Sequence, residues 1–167
     1  YLTYFFFSFM EFVLLALGPL SIFDALINTF SSISTAGLLI TPANAAAFDT
    51  VYVRGVIMVF TLFSSLNYTL FYFMLRGDFK TVLRNVETKV FALIIIGATL
   101  AIAVSLKISG TYASLWQAVK DALCQVVAFI STSGYFVCDY THWPTFSIIV
   151  LFSLLFVGGC CMSTSGS

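Results

Sequence analysis

Two short stretches carry residue types suited to holding a desolvated cation: Ser34-Thr35-Ala36-Gly37-Leu38 and Ser131-Thr132-Ser133-Gly134-Tyr135. Neither pairs a nucleophile with a base or sets two carboxylates together, so catalysis has no support. What they offer is oxygen. Gly37 and Gly134 permit backbone conformations that would aim the carbonyls of residues 34–36 and 131–133 at a common axis. Rings of carbonyl oxygens that replace a hydration shell are a means of selecting alkali ions.

The residues before these loops position them. Asp24-Ala-Leu-Ile-Asn-Thr-Phe-Ser-Ser-Ile-Ser-Thr-Ala-Gly-Leu38 aligns without a gap on Asp121-Ala-Leu-Cys-Gln-Val-Val-Ala-Phe-Ile-Ser-Thr-Ser-Gly-Tyr135, with seven of fifteen positions identical at a constant offset of 97. The chain is therefore an internal repeat. The segments 22–34 and 116–131 are apolar but too short to span a bilayer, and they have the length of re-entrant half-helices. Asp24 and Asp121 are expected in the first helical turns, where a carboxylate complements the dipole. Ser114-x-x-Gln117 is a capping-box pattern and Ser21-x-x-Asp24 a looser one. The carbonyl end of each short helix carries about half a negative charge, which would favour a cation at the membrane centre.

Of the 167 residues, 60% are hydrophobic and 8% charged, with seven basic residues balancing seven acidic ones. A soluble domain carries about 25% charged residues, so the chain reads as an integral membrane protein. Zero net charge excludes nucleic acid as a partner, and the apolar content excludes disorder. Cys124, Cys138, Cys160 and Cys161 form no CxxC pair, and with His142 as the single histidine no zinc constellation is expected. Both ends look cut, so a longer protein is expected.

Spans are predicted at about 1–20, 55–75 and 90–106, the last flanked by Lys89 and Lys107, with a fourth run from Phe146 to Met162. Two full spans separate Gly37 from Gly134, so both loops enter from the same side. Inverted-repeat transporters have opposed copies. The connector 76–89 holds Arg76, Lys80, Arg84 and Lys89, which makes it cytoplasmic and opens both loops to the outside. A helix starting at Phe146 rises ~18 Å by Gly158 and so ends inside the hydrocarbon core. Gly158-Gly159-Cys160-Cys161-Met162-Ser163-Thr164-Ser165-Gly166 would break it below the loops, where a gate belongs.

These residues together carry a family resemblance that covers essentially the whole chain. Asp24-Ala-Leu with Ser-Thr-Ala-Gly-Leu38, Asn67-Tyr-Thr-Leu with Leu75-Arg-Gly-Asp-Phe-Lys80 and Leu83-Arg84, Ser-Thr-Ser-Gly-Tyr135 with Asp139-Tyr-Thr-His-Trp-Pro144, and Gly158-Gly159-Cys160 with Ser163-Thr164 and Gly166 resemble the Trk/Ktr/HKT superfamily of potassium transporters, most closely its bacterial Trk-type subunit. The resemblance implies an all-α membrane protein of span, pore helix, filter loop and span repeated four times. By this likeness residues 1–80 form a second repeat, and residues 81–167 a third repeat up to its gating loop. It further implies potassium as the transported ion, held by filter carbonyls of 34–38 and 131–135, and no cofactor in this chain. A plasma-membrane homodimer in lipid is implied, with a cytosolic nucleotide-binding regulatory subunit. The gating loop departs from the family pattern at Met162, Ser165 and Ser167, where glycine is common.

Among single residues, Glu11 lies mid-span, which makes it either functional or the partner of a neighbouring repeat. Thr61, Ser64, Ser65, Tyr68 and Tyr72 are expected to form one polar stripe for interhelical hydrogen bonds. His142 and Trp143 read as an interfacial anchor. The rival function is a secondary transporter whose re-entrant loops bind an organic solute. It calls for opposed copies and ionisable loop tips, and neither is present.

Overall fold

Gly18 and Pro19 stop the first helix. Proline has no N–H to continue the ladder, and a side chain at Gly18 would meet the Tyr52 ring at 3.0 Å and the Leu15 carbonyl at 3.2 Å. In the computed structural model, which describes residues 2–37, 50–75, 85–112, 114–134 and 140–165, α1 therefore spans Leu2–Ala16 and α2 Ile22–Ile33. There follow α3 (Val51–Ser64), α4 (Tyr68–Leu75), α5 (Val86–Ile108), α6 (Leu115–Ile130) and α7 (Thr145–Val157). The described residues are all-helical with no strand, as the fold class requires.

Two cores form. Leu15 and Leu20 pack with Ala25 of α2 and with Val53 and Ile57 of α3. The larger core joins Phe91, Ile95, Ile102 and Leu106 of α5 to Ala118, Ala122, Val126 and Ile130 of α6, with Leu151 and Leu154 of α7. The i, i+4 spacing of the α6 residues lays one stripe along a single face, and its two alanines let the backbones approach closely. Contacts between α3 and α6 join the two halves.

Several expectations change. α5 has 23 residues, about 34 Å at 1.5 Å each, and is the one described helix that is long and apolar enough to cross a membrane unaided. Lys89 and Lys107 thus lie inside it rather than flanking it. Asn85 accepts the Thr88 N–H at 3.2 Å to start it, and Lys107 in the last turn complements its dipole. Asp121 is not in a first turn, because α6 begins at Leu115. At the 97-residue offset Gly18 and Pro19 stand opposite Leu115 and Trp116, so the α2 side is barred from that extra length. The Ser21 cap forms, taking the Asp24 N–H at 3.1 Å and donating to its carboxylate at 2.7 Å. Ser114 makes no side-chain cap.

The span predicted at 55–75 is broken. Ser64 and Ser65 turn their hydroxyls back to the carbonyls of Phe60 (2.8 Å) and Thr61 (2.9 Å). Asn67 then starts α4 by accepting the Thr69 N–H at 2.9 Å. The polar stripe is consequently divided between two helices, and its serines bond within their own helix. Trp143 is buried in the larger core rather than anchored at an interface, while His142 is exposed.

Candidate functional site: two helix ends and the loop beneath them

α2 and α6 end in the same way. Ser34 and Ser131 close the helices in right-handed conformation, at φ −77° in both. Thr35 (φ 52°) and Thr132 (φ 53°) then turn left-handed, as do Gly37 and Gly134 (both 66°). In α2 the Thr35 N–H bonds Ser32 O at 3.1 Å and the Ala36 N–H bonds Ser31 O at 2.9 Å. This is a Schellman ending with threonine where glycine is usual. In α6 the Thr132 N–H bonds Phe129 O at 3.1 Å, and the Gly134 N–H reaches Ala128 O at 3.4 Å. Each left-handed threonine costs roughly 1–2 kcal/mol, and surrounding contacts must hold it there.

The two endings meet. A Cβ added at Gly37 would overlap the carbonyl oxygen of Ser133 and lie 3.6 Å from Gly134 Cα, whereas the same position on Gly134 faces open space. Ser131, Ser133 and Thr35 are buried, while Ser34, Ala36 and Thr132 are exposed. Ser131 donates its hydroxyl to Ser133 Oγ at 3.0 Å, which steadies the second loop. Leu38, Tyr135 and Gly166 lie outside the described residues, as does connector 76–84.

The segment after α7 lies directly against both endings. Gly158 takes φ 66° and ψ −168°, a conformation essentially restricted to glycine, and the helix ends there. A side chain at Gly159 would overlap the Ser165 hydroxyl. Ser165 is fully buried, and its carbonyl receives the Thr132 hydroxyl at 3.5 Å. Thr164 donates its hydroxyl to Ile33 O at 2.7 Å and has Ser64 O at 3.1 Å, and its own carbonyl receives the Thr35 hydroxyl at 2.9 Å.

The broken span supplies the other face. The carbonyls left free at Ser64 and Ser65 accept the Thr164 N–H (3.1 Å) and the Cys160 N–H (3.0 Å). At the repeat offset the end of α3 at Ser64 corresponds to Cys161, four residues beyond the end of α7 at Val157, so the second helices of the two repeats break about one turn apart, and one break holds the other. The sequence signal for the first break, Ser-Ser-x-Asn, was open to reading but is weaker than a glycine pair.

Glu11 is fully buried and accepts the Ser32 hydroxyl at 2.5 Å, so its partner lies in its own repeat, on α2. Its second oxygen has no partner among the described residues. A buried carboxyl thus sits behind the last turn of α2, one residue before Ile33.

No protein-family model matches the chain. Among curated proteins, it is 29% identical over 145 residues to the Trk system potassium uptake protein TrkH of Escherichia coli (strain K12), covering 86% of the chain and 30% of that relative. To TrkH of Vibrio parahaemolyticus it is 30% identical over 153 residues, 90% of the chain and 32% of that relative. The crystal structure of the potassium transporter TrkH from Vibrio parahaemolyticus superimposes with a TM-score of 0.87 at 28% identity, covering 96% of this chain and 35% of that one. The chain therefore spans about a third of the length of the relatives it matches.

Proposed function

We propose, starting from a chain that resembles part of a Trk-type potassium transporter in both sequence and fold, that it is part of a membrane subunit conducting potassium. Residues 34–38 and 131–135 contribute two loops of the outer filter, and residues 158–166 form the inner gate. The observation that carries this reading is the contact of two matched helix endings at Gly37 and Ser133, with the 158–165 segment bonded beneath them. In an extended strand of one hand, side groups and carbonyls alternate. A left-handed residue at every second position, Thr35 then Gly37 and Thr132 then Gly134, reverses that alternation and turns successive carbonyls to one side. Such a row replaces the water of a dehydrated cation. The pore helices direct their negative ends to the same place.

In this reading the repeats divide at about residue 80. The 76–89 connector is cytoplasmic, and the filter loops face outward across the inner membrane. A homodimer and a cytosolic nucleotide-binding regulatory subunit follow from the family resemblance. Expression of the complete protein in cells lacking their own potassium uptake tests the function. Rubidium influx above the empty-vector level is expected. A protein that reaches the membrane without influx overturns the reading.

A further inference from the structure

The N–H of Cys161, at the exposed bend of the intramembrane loop, donates to Glu87 Oε1 at 2.5 Å across 74 residues of sequence. Glu87 stands in the first turn of α5, two residues beyond the Asn85 cap, where the basic connector ends and the third span begins. A carboxylate there suits the helix dipole whatever it touches. Its contact with the loop is a separate matter. The other described N–H bonds of this segment go to neutral oxygens: Cys160 to Ser65 O, Ser163 to Cys160 O, Thr164 to Ser64 O and Ser165 to Ser163 Oγ. Glu87 supplies the charged acceptor, and hydrogen bonds to an ionised partner are roughly twice as strong as neutral ones.

We propose that Glu87 is a positioning residue that tethers the intramembrane loop in its blocking position, coupling the connector end of α5 to the gate through the Cys161 N–H. The proposal rests on the gate assigned above. Thr164 fixes the loop to the filter base, and Glu87 fixes it to the opposite end of the third span. Met162, next to the tether, is exposed and left-handed at φ 59°. It receives the Tyr68 N–H on its carbonyl at 3.5 Å and the Thr69 hydroxyl on its sulfur at 3.8 Å, neutral contacts that leave the carboxylate as the charged tie on this bend. A displacement of the first turn of α5 would release the loop without any contact to the filter.

The tether is tested in the full-length protein by the rate at which N-ethylmaleimide alkylates Cys160, which is buried while the loop is docked, read by peptide mass spectrometry. Glu87→Ala is expected to raise that rate about tenfold, as for loss of one hydrogen bond to a charged group. Glu87→Gln keeps a neutral acceptor of the same shape and should raise it less, about threefold by the same scale. A Glu87→Ala rate within about twofold of wild type overturns the tether on that scale, as does a Glu87→Gln rate equal to that of Glu87→Ala. If Glu87→Ala does not elute as a monodisperse protein, Glu87→Gln decides: a wild-type rate overturns the proposal. Alkylation needs no transport, so failure of the wild-type protein to carry rubidium would strike the transport reading separately.

Discussion

The hydroxyl of Thr164, in the loop after α7, is bonded at 2.7 Å to the carbonyl of Ile33, the last residue of α2. A helix end that would otherwise present a free carbonyl is joined to a segment 131 residues away. The Thr35 hydroxyl returns the contact to Thr164 O. The end of α2 and the loop after α7 therefore share one hydrogen-bonded unit, and movement of the loop must break it.

Thr164→Val keeps the shape and removes the donor. It leaves the Ile33 carbonyl without this partner, at a cost of about 1–3 kcal/mol to the docked loop. Rubidium flux through the complete protein is expected to rise severalfold. Flux equal to wild type would separate the loop from the gate.

Gly37→Ala and Gly134→Ala should differ although both glycines have φ 66°. The alanine at 134 pays roughly 1–2 kcal/mol for its left-handed backbone. The alanine at 37 pays this and also collides with Ser133. Thermal melting of the purified protein should therefore fall further for Gly37→Ala. Equal losses would mean that the close approach of the loops is not maintained.

Gly134→Ser puts a side chain into open space at the end of α6 and, with residues 131–135 in the proposed filter, is expected to weaken discrimination of potassium over sodium, measured as competition with rubidium uptake. Unchanged selectivity would remove residues 131–135 from the filter.

Ser32→Ala withdraws the donor that meets buried Glu11. An unsatisfied buried group costs about 1–3 kcal/mol, so the melting temperature should drop. The double variant Ser32→Ala with Glu11→Leu, which removes both partners, should recover part of the loss. No recovery would place the effect outside this pair.

Asn67→Ala removes the side-chain cap of α4, a loss of about 1 kcal/mol. Because the neighbouring break presents Ser64 O and Ser65 O to the loop, alkylation of the buried Cys160 should also accelerate. A change in melting alone would confine Asn67 to the helix end.

The repeat, the two short helices and the helix stop at Gly158 were legible in the sequence, because each depends on neighbours along the chain: apolar runs, Ser-Thr-x-Gly endings, and glycine where φ is positive. Helix starts were less so. The Gly18-Pro19 pair forces α2 to begin late, while its counterpart Leu115-Trp116 lets α6 begin early and carries Asp121 out of the first turn. The break at residues 65–67 escaped because an apolar run passes through it, and two serines that bond backwards look in sequence like a polar stripe.

By itself the sequence determined a sparsely charged, net-neutral, repeated, helical membrane chain with two glycine-bearing loops and a third interruption, since hydropathy and local backbone preference act over a few residues. Only the tertiary structure decided which groups answer one another: Gly37 against Ser133, Thr164 on Ile33, Ser65 for Cys160, Ser32 for Glu11, and Glu87 for Cys161. The first is a close approach that only glycine permits; the other pairings satisfy carbonyls, N–H groups and carboxyl oxygens that the breaks and the burial leave unmatched. Where hydrocarbon excludes water the partner has to come from another part of the chain, at a sequence distance that no local pattern encodes.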